Sequence, residues 1–229
     1  MTRDSDPADT RMMGIVHAAL RRDLERVREA VTTEPFPQAA QRRALGEHVV
    51  WLMDFLHAHH ESEDQGLWPL VRVKNPAAGA LLDSLEADHE RIDPLATALR
   101  KAGCRYGERV EDEARSTLVK AIDALALVLY PHLDREVDEA MPVVSASITR
   151  AEWHEVEQTY TIKPKSLPQL AMEAQWVIDG VDAEEYAVVH DTVPRLMRWV
   201  VLRGFAGRYR RAARLRWEAG PEARLVEAS

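Results

Sequence analysis

His59-His60-Glu61-Ser62-Glu63-Asp64-Gln65-Gly66-Leu67-Trp68-Pro69 and His132-Leu133-Asp134-Arg135-Glu136-Val137-Asp138-Glu139-Ala140-Met141-Pro142 are two versions of one phrase. Each has a His, a Glu four residues on, and a Pro six residues after that Glu. On an α-helix a spacing of four puts both side chains on one face, about one turn apart. An imidazole nitrogen and a carboxylate so placed can hold one metal ion, or two ions that share the carboxylate. One such pair is commonplace; a repeated pair with the same downstream Pro is a design to build outward from.

The chain around this echo has 229 residues, a net charge of -8 and one cysteine, Cys104. Its apolar fraction is enough for a core. The single cysteine excludes an internal disulfide framework and suits a reducing compartment. No apolar run reads as long enough to span a bilayer, and the polar stretch from Met1 to Arg11 lacks the apolar segment of a secretory signal. The acidic balance gives no general attraction to nucleic acid. A cytoplasmic protein without nucleic-acid partners is expected.

Ala-, Leu-, Glu- and Arg-rich runs separated by Pro and Gly predict an all-α chain. The first helix is expected from Thr10 to Val31, ended by Thr-Thr-Glu-Pro-Phe-Pro at 32–37. His17 lies in its apolar stripe with Met13, Leu20, Leu24 and Val31; Arg21, Arg22, Asp23 and Glu25 read as its solvated side. The second helix, Gln38 to Gln65, offers three His-acid pairs. Leu45, Leu52, Phe55 and Leu56 share the side of His59 and Glu63, whereas His57 and Glu61 point roughly 200° away. His60 and Asp64 fall at the stripe's edge, so the spacing favours His59 and Glu63. His48 lies ~16 Å below His59 and reads as a hydrogen-bonded core residue. Leu67-Trp68-Pro69-Leu70 is expected to close this helix as an apolar lid.

The third helix, Pro76 to Ala102, places His89 with Leu82, Leu85, Ala96 and Leu99. Asp93, four residues on and just before Pro94, is a further ligand, a partner for the imidazole, or a cap beside a bend. After a break at Gly103–Gly107, the fourth helix runs to Ala140, with His132 and Glu136 on the face of Leu118, Leu125, Val128 and Leu129 despite Pro131. Residues 146–229 are expected as a helical extension to a bundle spanning 10–145. The final run, Pro194 to Ala219, interleaves Leu196, Met197, Val200, Val201, Phe205 and Tyr209 with arginines. It is expected to pack on the bundle or to pair two copies of the chain; a membrane-surface or nucleic-acid-binding helix is the functional alternative. His154 and His190 lack ligand spacing.

The inward set is therefore His17, His59, Glu63, His89, His132 and Glu136. Unpaired ionisable groups cost several kcal/mol each to bury, so six in one core layer make poor structural filler. Imidazole with carboxylate and no thiolate suits iron, manganese or zinc, and six ligands exceed a closed structural zinc site, pointing to two ions.

The order H…HxxxE…H…HxxxE over residues 10–145 resembles the hemerythrin-like, or HHE cation-binding, family, and His-His-Glu-Ser-Glu-Asp-Gln-Gly-Leu-Trp-Pro resembles its second-helix motif. The resemblance implies an up-down-up-down four-helix bundle holding two irons joined by an oxo or hydroxo bridge, with zinc or manganese as substitutes. It implies that Glu63 and Glu136 bridge and that His17, His59, His89 and His132 are terminal ligands. Binding of O₂, H₂O₂ or NO would follow, in sensing, carriage or peroxide handling. Catalase-like peroxide dismutation is the alternative, and a metal buffer or regulatory module without redox turnover a third. Oxygen-carrying members have a second third-helix His where this chain has Asp93, which leaves about two positions open and favours peroxide over reversible oxygen carriage.

Overall fold

The computed structural model describes residues 3–109, 111–193 and 198–218, and those residues contain helices and no strand. Helix α1 spans Arg11–Thr32 and α2 spans Ala39–Ser62. The second helix does not end at its Leu-Trp-Pro: it passes through one π turn, Glu63–Leu67, into α3, Trp68–Lys74. Helix α4 spans Gly79–Glu108. Helix α5, Asp112–Arg135, likewise passes through a π turn, Glu136–Ala140, into α6, Met141–Ser147. These rods make an up-down-up-down four-helix bundle, with α2 against α4, α4 against α5, and α1 closing on both α2 and α5.

The two π turns have a common cause. Pro69 and Pro142 cannot donate to the carbonyl four residues earlier, and the helix accommodates them by one wider turn instead of breaking. The N–H of Trp68 bonds the carbonyl of Glu63, and that of Met141 the carbonyl of Glu136, each five residues back. Pro94 and Pro131 lie inside α4 and α5 without ending them. The carbonyls they leave free, on Glu90 and Leu127, belong to exposed residues that water can reach.

Nor do the glycines at 103 and 107 break α4. A Cβ on Gly46 would meet the carbonyl of Gly103 at 2.6 Å and Cα of Gly107 at 2.8 Å, so they serve a close backbone crossing of α2 and α4. The break falls after Glu108 instead.

Two apolar clusters fill the bundle. One holds Leu20, Leu24, Leu52, Leu56, Leu99, Leu125 and Leu133; the other holds Met13, Leu67, Trp68, Val71, Leu85, Met141 and Val144. His17, Glu63, His89 and Glu136 occupy chain positions between these two sets on every rod, so a polar layer separates two greasy ones. The run Asp112–Ser147, 36 residues with a best-window mean hydropathy of 1.2, is long and apolar enough to cross a bilayer. By length and composition this run overturns the expectation that none is long enough to span a bilayer. Its apolar side is the bundle's own core, through Leu118, Ile122, Leu125 and Leu129.

Helices α7 (Arg150–Val156), α8 (Leu167–Val177), α9 (Ala183–Thr192) and α10 (Ala206–Trp217) follow the bundle. Capping boxes at Thr149, Ser166 and Asp182 start α7, α8 and α9. Trp176, Val177, Val189 and Tyr209 join the bundle's larger core cluster. Helix α10 lies on α2 and α8 of its own chain. Leu196 and Met197, assigned above to its apolar side, lie outside the described residues.

Asp23 corrects the reading of α1: it belongs to no solvated side but is fully buried beneath the extension. It accepts hydrogen bonds from His48 Nε2 at 2.7 Å, Trp176 Nε1 at 2.9 Å and Arg22 Nε at 2.8 Å. Arg22 also donates to the carbonyls of Trp176 and Asp179, and Arg26 and Tyr209 both donate to the Asp179 carboxylate. This network fastens α8 and α10 to α1 and α2. Asp23→Ala should lose roughly 2–4 kcal/mol in urea unfolding, since it leaves the buried His48 and Trp176 N–H groups without their acceptor and the half-buried Arg22 without its carboxylate, whereas a solvated Asp would lose less than about 0.5.

Acid attacks the same network with a defined sign. Burial holds His48 down at about 4, so the unfolded chain takes its proton first and stability falls as pH drops from about 6.5 to 4. Burial pushes Asp23 upward, but the His48 hydrogen bond and the Arg22 charge prevail and hold it at about 2; its contribution is lost only below about pH 4. Urea unfolding at stepped pH should show His48→Gln losing on the order of 3 kcal/mol less than wild type between pH 7 and 4.

Candidate metal centre

The two HxxxE pairs bring α2 and α5 together at one level of the bundle, and α1 and α4 each add a His. His17 Nε2 lies 3.1 Å from His59 Nε2, while the His89 and His132 rings are 4.8 Å apart. Two clusters result, His17-His59-Glu136 and His60-His89-His132; within each, one donor atom per residue lies within 4.8 Å of the others. The carboxylates link them. Glu63 places Oε1 3.0 Å from His59 Nε2 and Oε2 3.5 Å from His89 Nε2. Glu136 Oε2 lies 3.5 Å from His17 Nε2 and 3.6 Å from His132 Nε2. Each Glu thus touches one imidazole of either cluster, which is the placement a carboxylate shared by two ions requires.

His60, set at the stripe's edge above, is buried and stacked on His89 with ring centroids 4.0 Å apart. The stripe of α2 runs Leu45, Val49, Leu52, Leu56, His60, Glu63, Leu67, all buried at spacings of three and four. Phe55 pulled the inferred stripe toward His59, yet its own cover is Trp176 of the extension, 4.8 Å away in an edge contact. With α8 laid over that flank, α2 is buried across a wider arc, and both neighbouring histidines face inward.

Asp93 goes the other way. It is exposed and accepts a hydrogen bond from exposed His57 Nδ1 at 3.2 Å, so it is neither beside the donors nor a partner of His89. His57 therefore pairs with Asp93 rather than Glu61.

Two hydrogen bonds orient imidazoles of the layer, and a buried carboxylate lies near a third ring. His89 Nδ1 donates to Asp64 at 2.8 Å and His17 Nδ1 to the Leu133 carbonyl at 3.3 Å, leaving each Nε2 free toward the carboxylates. Asp88 is buried 3.7 Å from His132 Nδ1, with Arg91 and Arg135 as its cationic partners. Sequence reasoning missed Asp64 and Asp88. The signal for Asp64 was its place four residues after His60; Asp88 gave none beyond adjacency to His89.

Burial drives every resolved shift in this layer. It lowers His17 to about 4 and His132 to about 3, and takes His59 and His60 well below the usual range, helped by neighbouring imidazoles. It raises Glu63, which Glu136 and Asp64 raise further, and it raises Glu136. Neutral imidazoles are the ligand form, and protonated carboxyls can yield their protons to a cation.

The donor set also fits a cation by what it lacks. His60 Nε2, His89 Nε2, both nitrogens of His132 and both oxygens of Glu63 and Glu136 are buried without a hydrogen-bond partner. An unsatisfied buried polar atom costs roughly 1–3 kcal/mol, and eight in one layer make no structural sense without something to bind. His60→Ala should weaken uptake of one ion by at least about tenfold, since losing even an outer partner costs that much. Asp93→Ala should leave metal uptake unchanged; metal titration of the purified variants checks the pair.

Curated proteins and solved structures show no match to the chain. The family model described as the hemerythrin HHE cation binding domain matches residues 10–144. That span covers the four rods and every donor above, and the chain belongs to the hemerythrin HHE cation-binding family.

Proposed function

We propose that the chain is a non-haem di-iron protein that binds a small oxidant or diatomic molecule, O₂, H₂O₂ or NO, in the bundle core of a cytoplasmic protein. One observation carries this reading: two donor clusters share two carboxylates. Hard oxygen and borderline imidazole donors suit iron, with manganese or zinc as substitutes, and no thiolate is present to favour softer ions. Paired irons supply reversible two-electron chemistry toward a small oxygen-containing ligand.

The chain's own residues decide what reaches them. His60, His89 and His132 with the two carboxylates supply five donors to one side, while His17 and His59 with the same carboxylates supply four to the other. The poorer side faces the extension, where Phe55 and Met13 keep the surroundings apolar. Above and below, Leu56, Leu67 and Trp68 exclude water from the layer. Asp93 lies away from the donors, and with His60 among them five imidazoles and two carboxylates would hold the metal, leaving less room for exchangeable ligands than four imidazoles would, which favours reversible binding, in carriage or sensing, over peroxide turnover.

Protein purified from an iron-replete host should contain about two irons per chain, with near-ultraviolet absorption that changes on removal and return of O₂. Glu63→Ala or Glu136→Ala should lose at least one of them. A content of one ion or none would overturn the di-iron reading. Rapid oxygen evolution from added H₂O₂, abolished in His59→Ala, would make the protein a peroxide-dismutating enzyme instead.

A further inference from the structure

A cavity of about 380 Å³ lies between the bundle and the extension. Met12, Val16 and Phe55 line it from the bundle, and Val156, Ile162 and Leu170 from the extension. His59 and Glu63 form part of its wall, so it reaches the edge of the donor layer. At about 30 Å³ per water-sized atom it has room for about a dozen non-hydrogen atoms. A diatomic molecule or hydrogen peroxide needs two. Pockets for organic ligands begin near this size and share this make-up, mostly apolar with a few polar groups.

The polar groups narrow the class. Among the described residues lining the cavity none is Lys or Arg, while Glu157 and Glu173 are present. Lys165, over the Phe55 ring at 5.3 Å, is engaged with Glu173 at 2.7 Å. His154 also lines the wall but is exposed and faces Glu157 at 4.0 Å, so among the described lining residues an anion would meet carboxylates without a free cation and would lose its hydration. Gln158, Thr161 and Thr192 offer neutral hydrogen-bonding groups. We infer that this chamber is a binding site for a neutral, largely apolar organic molecule of about a dozen non-hydrogen atoms, held by the C-terminal extension against the His59 and Glu63 edge of the metal layer. The site does not depend on the di-iron reading, because its walls are set by α8 packed on α1, α7 on the Glu63–Leu67 turn and the Glu157–Ile162 turn on α2.

The test titrates the full chain, metal-free and metal-loaded, with 1-naphthol, a neutral two-ring alcohol of about this size, followed by calorimetry. Saturable one-site binding is expected, with 1-naphthoate at least about tenfold weaker. Ala174→Trp on α8 and Val156→Phe on α7 fill the chamber from two sides and should each weaken 1-naphthol by about tenfold while leaving metal content unchanged. If either variant fails to fold, photolabelling of the wild type with a naphthyl diazirine maps the same place without substitution. No saturable binding, equal binding by wild type and filled variants, preference for the anion, or labels away from α7, α8 and the His59 face of α2 would each overturn the inference. A chain that takes up no metal and still binds 1-naphthol keeps the chamber and removes the metal reading.

Discussion

Everything in the bundle answers to one electrostatic constraint: two buried carboxylates and four buried imidazoles share a layer, with a fifth imidazole, His59, at its edge on the cavity. Left alone, such groups shed their charge, and the directions of their proton affinities show it, acids raised and bases lowered. Among the described residues no Lys or Arg pairs with Glu63 or Glu136; their ion-pair neighbours are the imidazoles. The arginines nearby, Arg91 and Arg135, are held by Asp88 at its outer edge. A cation from outside the chain would balance the layer, in keeping with the cation binding of its family.

The backbone meets that constraint by a repeated device. Glu63 and Glu136 each open a π turn that an X-Pro pair makes necessary, so each carboxylate sits where the helix is one residue wider per turn. Prolines that would ordinarily end the rods instead mark where they change pitch. The rods continue to Lys74 and Ser147, and their tips form the second apolar cluster beneath the polar layer.

Much of this could be read from the residues. The four rods follow from apolar spacing, and the histidines of the echo fall where helical geometry put them. What escaped was set by contacts that spacing does not encode. Phe55 and His59 form an apolar flank only because Trp176, more than a hundred residues away, lies over it, and so His60 was passed over. Asp23 looked like surface because its neighbours are arginines, yet those arginines and His48 are what permit its burial. Glycines 103 and 107 looked like a break because a backbone crossing at Gly46 is invisible in one strand of sequence.

Gly66 holds a different kind of consequence. A methyl group there would stand 2.5 Å from the ring of Tyr160, so the extension's own π turn, Glu157–Ile162, rests directly on the turn that carries Glu63. Seating of the ring and occupancy of the carboxylate are two corners of one thermodynamic cycle. Whatever factor the first imposes on the second, the second must return, and the tail thereby becomes a lever as well as a cover.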